Sequence, residues 1–342
     1  MIYVEKSAID LPLTKLISSK FNVEVIEDGQ EIEDVKSNIV ITNVIDNFVH
    51  QCPATQNHRC CNYHVVDIMQ GCPFDCSYCI LQLYLPHRHI SVTGNIDNVL
   101  EDIKLATRFQ RKRIGSGELA DSLAMDKTIP LSKFIVPFVN ELDNVQFEFK
   151  TKSDVVDNLL DLNPKNCLVS WSLNPQEISS LEEPYTASIE RRIKAAEKVV
   201  EHGYKVGFHF DPLIMHENFE SLYGELIENL TLRIKEASVE YISISTFRCP
   251  PELMNEIRLR EKDSILTKGD FIRGLDGKVR YFKSERSKMI KFVLNKIRKE
   301  WKNVYIYFCM EHDSVWNNLM GYDPGDREEF EKYFPIHGCK TL

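Results

Sequence analysis

The stretch His64-Val-Val-Asp-Ile-Met-Gln-Gly-Cys-Pro-Phe-Asp-Cys-Ser-Tyr-Cys79 joins a strand candidate, His64 to Met69, directly to three closely spaced cysteines. Its spacing, Cys72-x3-Cys76-x2-Cys79, places three thiols on one tight loop. Three thiolates can bind three irons of a four-iron four-sulfur cluster and leave the fourth iron without a protein ligand. Such an open iron can chelate a small molecule and pass it one electron, which a cluster with four protein ligands cannot do.

Along the rest of the chain, short apolar strands alternate with amphipathic helices, which is the pattern of βα units and a parallel sheet. In the clearest unit, a helix from about Ser188 to His202 is closed by Gly203 and followed by the strand Tyr204 to Phe210. The other strand candidates are Arg113 to Gly117, Gln146 to Thr151, Cys167 to Leu173, Glu240 to Thr246 and Val304 to Met310. The pattern predicts an α/β fold, a partial (β/α)6 barrel of the TIM type. We also expect one helix capped by Asp97, and another over Leu131 to Leu142 that is kinked at Pro137.

The 342 residues would suit either two domains or one barrel with additions. Because the chain shows no Pro/Gly/Ser linker and no repeat, we expect one domain. In this prediction residues 1–50 form a small βα extension, 51–316 form the barrel, and 317–342 form a tail packed on it. A charged C-terminal insertion carries a basic hairpin and helix at 270–302. Its helical part, 283–302, has eight Lys or Arg against two Glu.

Composition sets broad limits on the class of protein. With 43% hydrophobic and 27% charged residues, the chain has the composition of a folded protein and not of a disordered or low-complexity one. Its apolar runs are far shorter than the ~20 residues of a membrane span, and the N-terminus lacks a basic-then-apolar signal. We therefore expect a cytoplasmic monomer with no membrane contact. The net charge of −9 argues against a generally cationic nucleic-acid-binding surface, but it leaves room for a local basic cleft.

The cysteine spacing, with Tyr78 just before the third cysteine, resembles the radical S-adenosylmethionine superfamily. The resemblance implies a 4Fe-4S cluster on Cys72, Cys76 and Cys79 that binds S-adenosylmethionine and cleaves it reductively to a 5′-deoxyadenosyl radical. It also implies that Tyr78 lies against the adenine and that a low-potential reductant such as flavodoxin or ferredoxin supplies the electron. A zinc knuckle or an electron-transfer cluster is the alternative, but each would want a fourth ligand.

The strand Arg113-Ile-Gly-Ser-Gly-Glu118 resembles the glycine motif on the second strand of that superfamily, where an acidic residue meets the methionyl amino group. Glycine permits the backbone to approach a ligand closely; the alternative is a simple turn with a surface glutamate. The resemblance implies cosubstrate contacts from Gly115, Ser116, Gly117 and Glu118. Ligands of such barrels lie at the C-terminal ends of the strands. The polar residues that close the later strands are Lys152, Ser172, Asn174, Asp211 and Arg248.

Within the superfamily, the chain is most similar to the spore photoproduct lyase-like subgroup, from about Cys52 to near residue 316. This likeness implies that Lys152 faces the cosubstrate carboxylate and that Ser172 and Asn174 contact its ribose or methionyl part. Two departures limit the likeness. Glu118 stands where the true lyase has its hydrogen-donor cysteine, and Ile80 stands where it has a tyrosine of its hydrogen-transfer route. Since glutamate has no weak X–H bond, the lyase's quenching chemistry cannot run here unchanged.

Three other cysteines are candidates for a replacement hydrogen donor. Cys60 and Cys61 precede the cluster motif, and Cys249 follows the sixth barrel strand. For Cys60 and Cys61 the alternatives are ligation of a second metal or simple packing of buried small side chains. We expect Cys167, Cys309 and Cys339 to be structural.

The hairpin around Arg273 to Tyr281 combines cations with an aromatic side chain, a mixture that suits a phosphate backbone and a base to stack on. The candidate substrate contacts are Lys278, Arg280 and Tyr281; the alternative is a cationic edge that pairs with acidic groups of the protein. The sequence therefore favours a radical enzyme that abstracts hydrogen from nucleic acid, DNA or RNA, or from a nucleotide. A radical enzyme acting on a peptide or small metabolite, and a non-enzymatic iron–sulfur or zinc-binding protein, are the other readings.

Overall fold

A computed structural model describes residues 1–261 and 263–335. These residues form two compact units. Unit 1 comprises Met1–Cys52, Tyr63–Phe74 and Leu81–Leu168, and unit 2 comprises Pro53–Asn62, Asp75–Ile80 and the described part of Val169–Leu342. Residues 336–342 of the predicted tail, which include Cys339, lie outside the described residues. The predicted boundaries at residues 50 and 316 stay predictions.

Unit 1 contains two sets of strands. Its strands are β1 (Ile2–Glu5), β2 (Glu24–Ile26), β3 (Ile39–Thr42), β4 (Val49–Gln51), β5 (His64–Val66), β6 (Met69–Gln70), β7 (Ile90–Thr93), β8 (Lys112–Gly115) and β9 (Val145–Thr151). A five-stranded sheet has the order β2-β1-β3-β7-β6, and four strands of an eight-stranded sheet follow the order β4-β5-β8-β9. Strands β5, β8 and β9 are parallel, so their carboxyl ends lie at one edge.

The helices of unit 1 are α1 (Pro12–Ser18), α2 (Leu81–Tyr84), α3 (Ile96–Thr107) and α4 (Ser132–Asn140). The predicted cap of α3 is wrong by two residues, because the N-cap is Asn95 and Asp97 lies inside the first turn. There its carboxylate complements the positive end of the helix dipole. Helix α4 contains Pro137, as predicted.

Unit 2 contains the remaining strands and helices. The strands are β10 (Cys167–Ser172, whose first two residues belong to unit 1), β11 (Lys205–Leu213), β12 (Val239–Thr246), β13 (Arg248–Cys249), β14 (Phe271–Arg273), β15 (Val279–Tyr281) and β16 (Tyr305–Phe308). The helices are α5 (Gln176–Glu182), α6 (Ile189–Glu201), α7 (Phe219–Arg233), α8 (Pro251–Arg260), α9 (Lys283–Glu300), α10 (Asp313–Met320) and α11 (Arg327–Glu331).

The other four strands of the eight-stranded sheet follow the order β10-β11-β12-β16. Strands β11, β12 and β16 are parallel. A separate antiparallel sheet, β13-β15-β14, forms the predicted hairpin. This mixed α/β architecture agrees with the predicted fold class.

Helix α6 shows why the clearest sequence unit folds as predicted. The Ser188 side chain accepts a hydrogen bond from the Arg191 amide, 3.3 Å away, and so satisfies one of the free N–H groups at the helix start. Ile193 and Val199 are fully buried. The chain then turns at Gly203, whose φ of 89° is left-handed, into β11.

The basic helix also forms as predicted, as α9. Two of its cations form ion pairs inside unit 2: Arg286 pairs with Glu311 at 3.0 Å, and Lys296 pairs with Glu228. Within the described residues, no helix has the length and apolar character needed to cross a bilayer.

Candidate active site

The segment of residues 75–80 carries Cys76, Tyr78 and Cys79 and is held by backbone hydrogen bonds within unit 2. The amide of Asp75 donates to the carbonyl of Pro184 at 3.2 Å, and the amide of Ser77 donates to the carbonyl of Glu182 at 2.9 Å. The amide of Cys79 donates to the carbonyl of Cys76 at 3.1 Å, which closes a tight turn. Irregular backbone needs such partners, and these fix the positions of two of the three motif cysteines.

Glu182 anchors this segment with its side chain as well. Its fully buried carboxylate accepts hydrogen bonds from the hydroxyl of Ser77, from the hydroxyl of Ser264 at 3.0 Å and from the amide of Ile265 at 2.7 Å. One carboxylate therefore binds both the 75–80 segment and the turn that follows α8. Sequence reasoning did not identify this residue.

Glu183, the next residue, accepts a hydrogen bond from the phenol of Tyr78. The same carboxylate accepts hydrogen bonds from the Asn174 amide at 2.9 Å and the Ser179 hydroxyl at 2.9 Å, and it pairs with Arg192 at 2.7 Å. Neither the Glu183 nor the Arg192 side chain is exposed to solvent. Burial, followed by the adjacent Glu183 carboxylate, raises the pKa of Tyr78 well above its ordinary value, so the phenol stays a hydrogen-bond donor.

Two predicted cosubstrate residues connect to the same network. The carbonyl of Ser172 accepts a hydrogen bond from Arg192 at 2.8 Å. The side-chain oxygen of Asn174 accepts one from the phenol of Tyr223 at 2.7 Å. Both Ser172 and Asn174 are buried, and the Asn174 side chain is oriented by its hydrogen bonds to Glu183 and Tyr223.

Of the three motif cysteines, Cys76 is buried, and Cys72 and Cys79 are half-buried. Cys72 belongs to unit 1 and the other two belong to unit 2. Across the described parts of the chain, no three His, Cys, Asp or Glu side chains already stand in an arrangement that would hold a metal ion. The fit of an iron–sulfur cluster therefore rests on the chemistry of the donors, since three cysteine thiols at this spacing suit iron–sulfide coordination.

In unit 1, the predicted glycine motif lies at the carboxyl end of β8. A Cβ atom at Gly115 would come within 1.8 Å of the Tyr63 hydroxyl, which donates a 2.6 Å hydrogen bond to Glu148. A Cβ atom at Gly117 would come within 2.9 Å of the Lys150 side chain. Close packing inside the protein thus already requires both glycines, and their contact with a cosubstrate stays a prediction.

Asp121 organises the neighbouring strand end. Its carboxylate accepts hydrogen bonds from the Thr151 hydroxyl at 2.6 Å and from the amide of Lys152 at 2.7 Å. It also accepts two bonds from the amides that follow it in the chain. Nearby, the hydroxyl of Ser116 donates to that of Ser122 at 3.0 Å. The predicted ligand contacts Ser116 and Lys152 are thus held in place by residues that the sequence analysis missed.

Two carboxylates lie near each other beside the ends of β5 and β8. Burial raises the pKa of Asp67, the nearby His50 lowers it, and the negative charge of Glu118 raises it further. Glu118 is exposed. The Oδ1 atom of Asp67 is buried, and no group among the described residues donates a hydrogen bond to it. This edge of unit 1 is therefore acidic.

Arg248 and Asp211, predicted to be near the chemistry, meet in unit 2. An Nη1–Oδ1 distance of 3.2 Å joins them, and the pairing holds the pKa of Arg248 above its ordinary value although burial acts against it. The guanidinium also lies 3.4 Å from the sulfur of Met310 and 3.9 Å from the thiol of Cys309. Because β11, β12 and β16 are parallel, these groups share one edge of the sheet.

The three donor candidates have different surroundings. Cys60 is half-buried near Arg248, Lys278 and Arg327, and burial raises the pKa of its thiol. Cys61 is also half-buried. Cys249 is 2% exposed within the three-stranded sheet, and burial raises its pKa to about 12. Of these three residues, Cys60 and Cys61 are more exposed than Cys249.

The predicted substrate contacts on the hairpin differ in their exposure to solvent. Arg280 is 2% exposed and paired with Asp276, and Tyr281 is 3% exposed, with its hydroxyl accepting a hydrogen bond from the Met215 amide at 3.1 Å. Lys278 is half-buried, whereas Arg273 is exposed and Leu275 is 72% exposed. In this structure Arg280 and Tyr281 support the hairpin, and the surface is made by its tip.

A partial α/β barrel with a three-cysteine motif after an early strand is typical of the class of radical S-adenosylmethionine enzymes. Residues 1–249 match the family model described as spore photoproduct lyase. The chain belongs to that family and is a radical S-adenosylmethionine enzyme. The expected relationship is therefore confirmed, and the non-enzymatic alternative is set aside.

Individual relatives agree with this assignment. The spore photoproduct lyase of Clostridium acetobutylicum is 22% identical over 337 residues, covering 90% of this chain and 95% of the relative. That of Bacillus subtilis is 24% identical over 255 residues, covering 67% and 72%. A solved spore photoproduct lyase variant with bound AdoMet and dinucleoside spore photoproduct has a TM-score of 0.79 at 24% identity, covering 90% of this chain and 98% of that one. The likeness confirms the predicted fold class.

The ion pair inside the hairpin predicts a pH-dependent stability. Burial tends to raise the pKa of Asp276, but hydrogen bonds from Arg280 and Thr55 and nearby positive charge outweigh it and lower the pKa to about 2. The unfolded chain therefore binds more protons below pH ~4, and stability falls as the pH drops from about 4 to about 2. Asp276→Asn should flatten this part of the stability curve, measured by urea unfolding at several pH values. Asp10→Asn, at an exposed pair, serves as control; equal acid sensitivity of Asp276→Asn and wild type would contradict the assignment.

Proposed function

We propose that the protein cleaves S-adenosylmethionine reductively at a 4Fe-4S cluster held by Cys72, Cys76 and Cys79, and that its substrate is nucleic acid or a nucleotide carrying a base lesion. The observation that carries the proposal is the anchoring of the 75–80 segment by Glu182 and Glu183, which presents two thiols and Tyr78 on fixed backbone. When bound, the cluster supplies one electron to the sulfonium of S-adenosylmethionine. Flavodoxin or ferredoxin would be the physiological reductant.

The chain's own residues would bind and orient the cosubstrate. The ring of Tyr78 is held by Glu183 and would stack on the adenine. Asn174, fixed from both ends of its amide, would contact the ribose or methionyl part. Lys152 follows β9, where its cation would face the methionyl carboxylate. Glu118 would face the methionyl amino group, together with backbone groups of Gly115, Ser116 and Gly117, because the edge formed by Glu118 and Asp67 is acidic.

Two lines of support favour a nucleic-acid substrate. The similar lyase structure was solved with dinucleoside spore photoproduct, and the hairpin of this chain exposes Arg273 and the apolar tip residue Leu275 beside half-buried Lys278. A cation near an exposed apolar side chain suits a phosphate and the base next to it. Arg280 and Tyr281 would act by keeping the hairpin rigid.

The radical left on the substrate needs a hydrogen donor, and Glu118 cannot serve. We assign this role to Cys60, because the residue is only half-buried, whereas Cys249 is 2% exposed, and because its raised pKa keeps the hydrogen on sulfur. The S–H bond would break as a C–H bond forms on the substrate. The resulting thiyl radical would return to the thiol with one electron from the low-potential reductant and one proton from water.

The central claim predicts formation of 5′-deoxyadenosine. Anaerobically reconstituted protein given dithionite and S-adenosylmethionine should produce it, and Cys76→Ala should abolish it because a motif thiolate is lost. Cys167→Ala, which removes a buried thiol of β10, should retain it. Wild-type protein that forms no 5′-deoxyadenosine in an assay where another radical enzyme is active would disprove the claim.

The hairpin assignment predicts a salt-dependent contact. Arg273→Gln should lower affinity for a thymine-rich DNA oligonucleotide and reduce the slope of log affinity against log salt by about 1, as expected for one lost phosphate contact. Fluorescence anisotropy at several salt concentrations measures both quantities. Lys15→Gln, at an exposed site on α1, should leave the slope unchanged. A wild-type protein without salt-sensitive binding would instead favour a peptide or small metabolite.

If Cys60 is the hydrogen donor, its loss should uncouple cleavage of S-adenosylmethionine from formation of the repaired product. With dinucleoside spore photoproduct as the trial substrate, Cys60→Ala should still form 5′-deoxyadenosine but yield little repaired product for each molecule formed, because the substrate radical finds no hydrogen donor. Chromatography measures both products, and Cys167→Ala should keep the wild-type ratio. If Cys60→Ala keeps the wild-type ratio of repaired product to 5′-deoxyadenosine while Cys61→Ala or Cys249→Ala lowers it, the hydrogen donor is that other cysteine and not Cys60.

A further inference from the structure

Glu183 does more than balance a buried cation. Its carboxylate receives the phenol of Tyr78 and the amide of Asn174 on one oxygen, Oε1. The other oxygen, Oε2, receives Arg192 and the hydroxyl of Ser179. The two oxygens thus have different partners. Oε1 binds residues of the candidate site, and Oε2 binds residues of α5 and α6.

We propose that Glu183 is a positioning residue that fixes Tyr78 and Asn174 relative to each other through its Oε1 atom. The inference rests on the proposed function, in which Tyr78 contacts the adenine and Asn174 contacts the ribose or methionyl part of S-adenosylmethionine. A shared, buried acceptor sets the distance between the two donors more strictly than two separate partners would, because neither donor can move without giving up a charge-assisted hydrogen bond.

The surroundings of Glu183 make this acceptor rigid. Arg192 is held by four further hydrogen bonds: to the carbonyls of Ala187 and Ser172, both at 2.8 Å, and to the hydroxyls of Thr186 at 2.6 Å and Ser179 at 3.2 Å. The guanidinium is therefore fixed in position and orientation, and it fixes the carboxylate in turn. Through its hydrogen bond to this carboxylate, the aromatic ring of Tyr78 is oriented from its phenol end.

The neighbouring amides show where a loss of order would be detected. The amide of Ser77 donates to the carbonyl of Glu182, one residue before Glu183, and the amide of Asp75 donates to the carbonyl of Pro184, one residue after it. If the phenol of Tyr78 is released from Glu183, the 75–80 segment loses a side-chain hydrogen bond at its centre. The backbone hydrogen bonds of Ser77 and Asp75 should then break more often. Amide hydrogen exchange reports this opening without any catalytic turnover.

The first test uses Tyr78→Phe, which removes only the hydroxyl. Glu183 keeps Arg192, Ser179 and Asn174 as partners, so global stability should change little. Exchange in a peptide covering residues 75–80 should become about tenfold faster, and KM for S-adenosylmethionine should rise by about tenfold with a smaller change in kcat, the loss expected for one hydrogen bond to a charged group. Wild-type exchange and wild-type KM in this variant would overturn the proposal.

The second test uses Glu183→Gln with Glu311→Gln as its matched control. Glu311 is equally buried and pairs with Arg286 at 3.0 Å, so both variants leave a buried arginine without its carboxylate. Only Glu183→Gln should speed exchange in residues 75–80 and raise KM for S-adenosylmethionine. A purely structural role would instead lower the melting temperature of both variants and leave both readouts at wild-type values, which would overturn the proposal.

The double variant Tyr78→Phe/Glu183→Gln completes the test. If the two residues act through one hydrogen bond, the double variant should exchange no faster in residues 75–80 than Glu183→Gln alone. Additive effects would mean independent roles and would contradict the inference. Because exchange is measured on the full chain without turnover, this result is distinct from failure of the proposed function, which would appear as absence of 5′-deoxyadenosine from the wild type.

Discussion

A guanidinium and a carboxylate are enclosed together beside helices α5 and α6, where neither Arg192 nor Glu183 reaches solvent. Such a pair has a large desolvation cost that is recovered only when every donor and acceptor is satisfied, and removal of one partner typically costs about 3–5 kcal/mol. Here the guanidinium also bonds two carbonyls and two hydroxyls. The end of β10, the start of α6 and the 75–80 segment therefore depend on one electrostatic arrangement.

The end of α5 explains how a segment without regular structure is held in place. The last carbonyls of any helix lack partners within the helix. In this chain the carbonyl of Glu182 and that of Pro184 just beyond accept the amides of Ser77 and Asp75. The groups that a helix end leaves unsatisfied are thus the groups that the irregular segment requires. Hydrogen bonds from the side chains of Ser77 and Tyr78 to Glu182 and Glu183 join the same segment to the same helix end.

Sequence reasoning succeeds where the signal is local. The three cysteines, the capped helix at Ser188 and the hairpin near Gly277 each depend on residues a few positions apart. The network around Glu183 joins residues about a hundred positions apart, and nothing in the local pattern marks Glu182 or Glu183 as more than polar residues near a helix end. The burial of Arg280 in the hairpin is missed for a different reason, since its partner Asp276 is only four residues away. Arg280 looks like a surface cation in the sequence, but its pairing with Asp276 is seen only once the turn has formed.

Glu118 is a carboxylate and not a thiol, and this limits what the edge of unit 1 beside β5 and β8 can do in the proposed reaction. A carboxylate cannot give a hydrogen atom to a carbon radical, but beside Asp67 it makes the edge more acidic, which raises the pKa of Asp67 and favours a cation. S-adenosylmethionine carries an ammonium and a sulfonium group, so in the proposed reaction such an edge would assist binding of the cosubstrate and would not quench the radical. Hydrogen donation then requires a thiol elsewhere that stays protonated. Burial keeps Cys60 protonated although Arg248, Lys278 and Arg327 act in the opposite direction, because the cost of placing a thiolate there exceeds the attraction of those cations. In the proposed reaction, binding of the cosubstrate and quenching of the substrate radical would thus fall to different residues, Glu118 and Cys60.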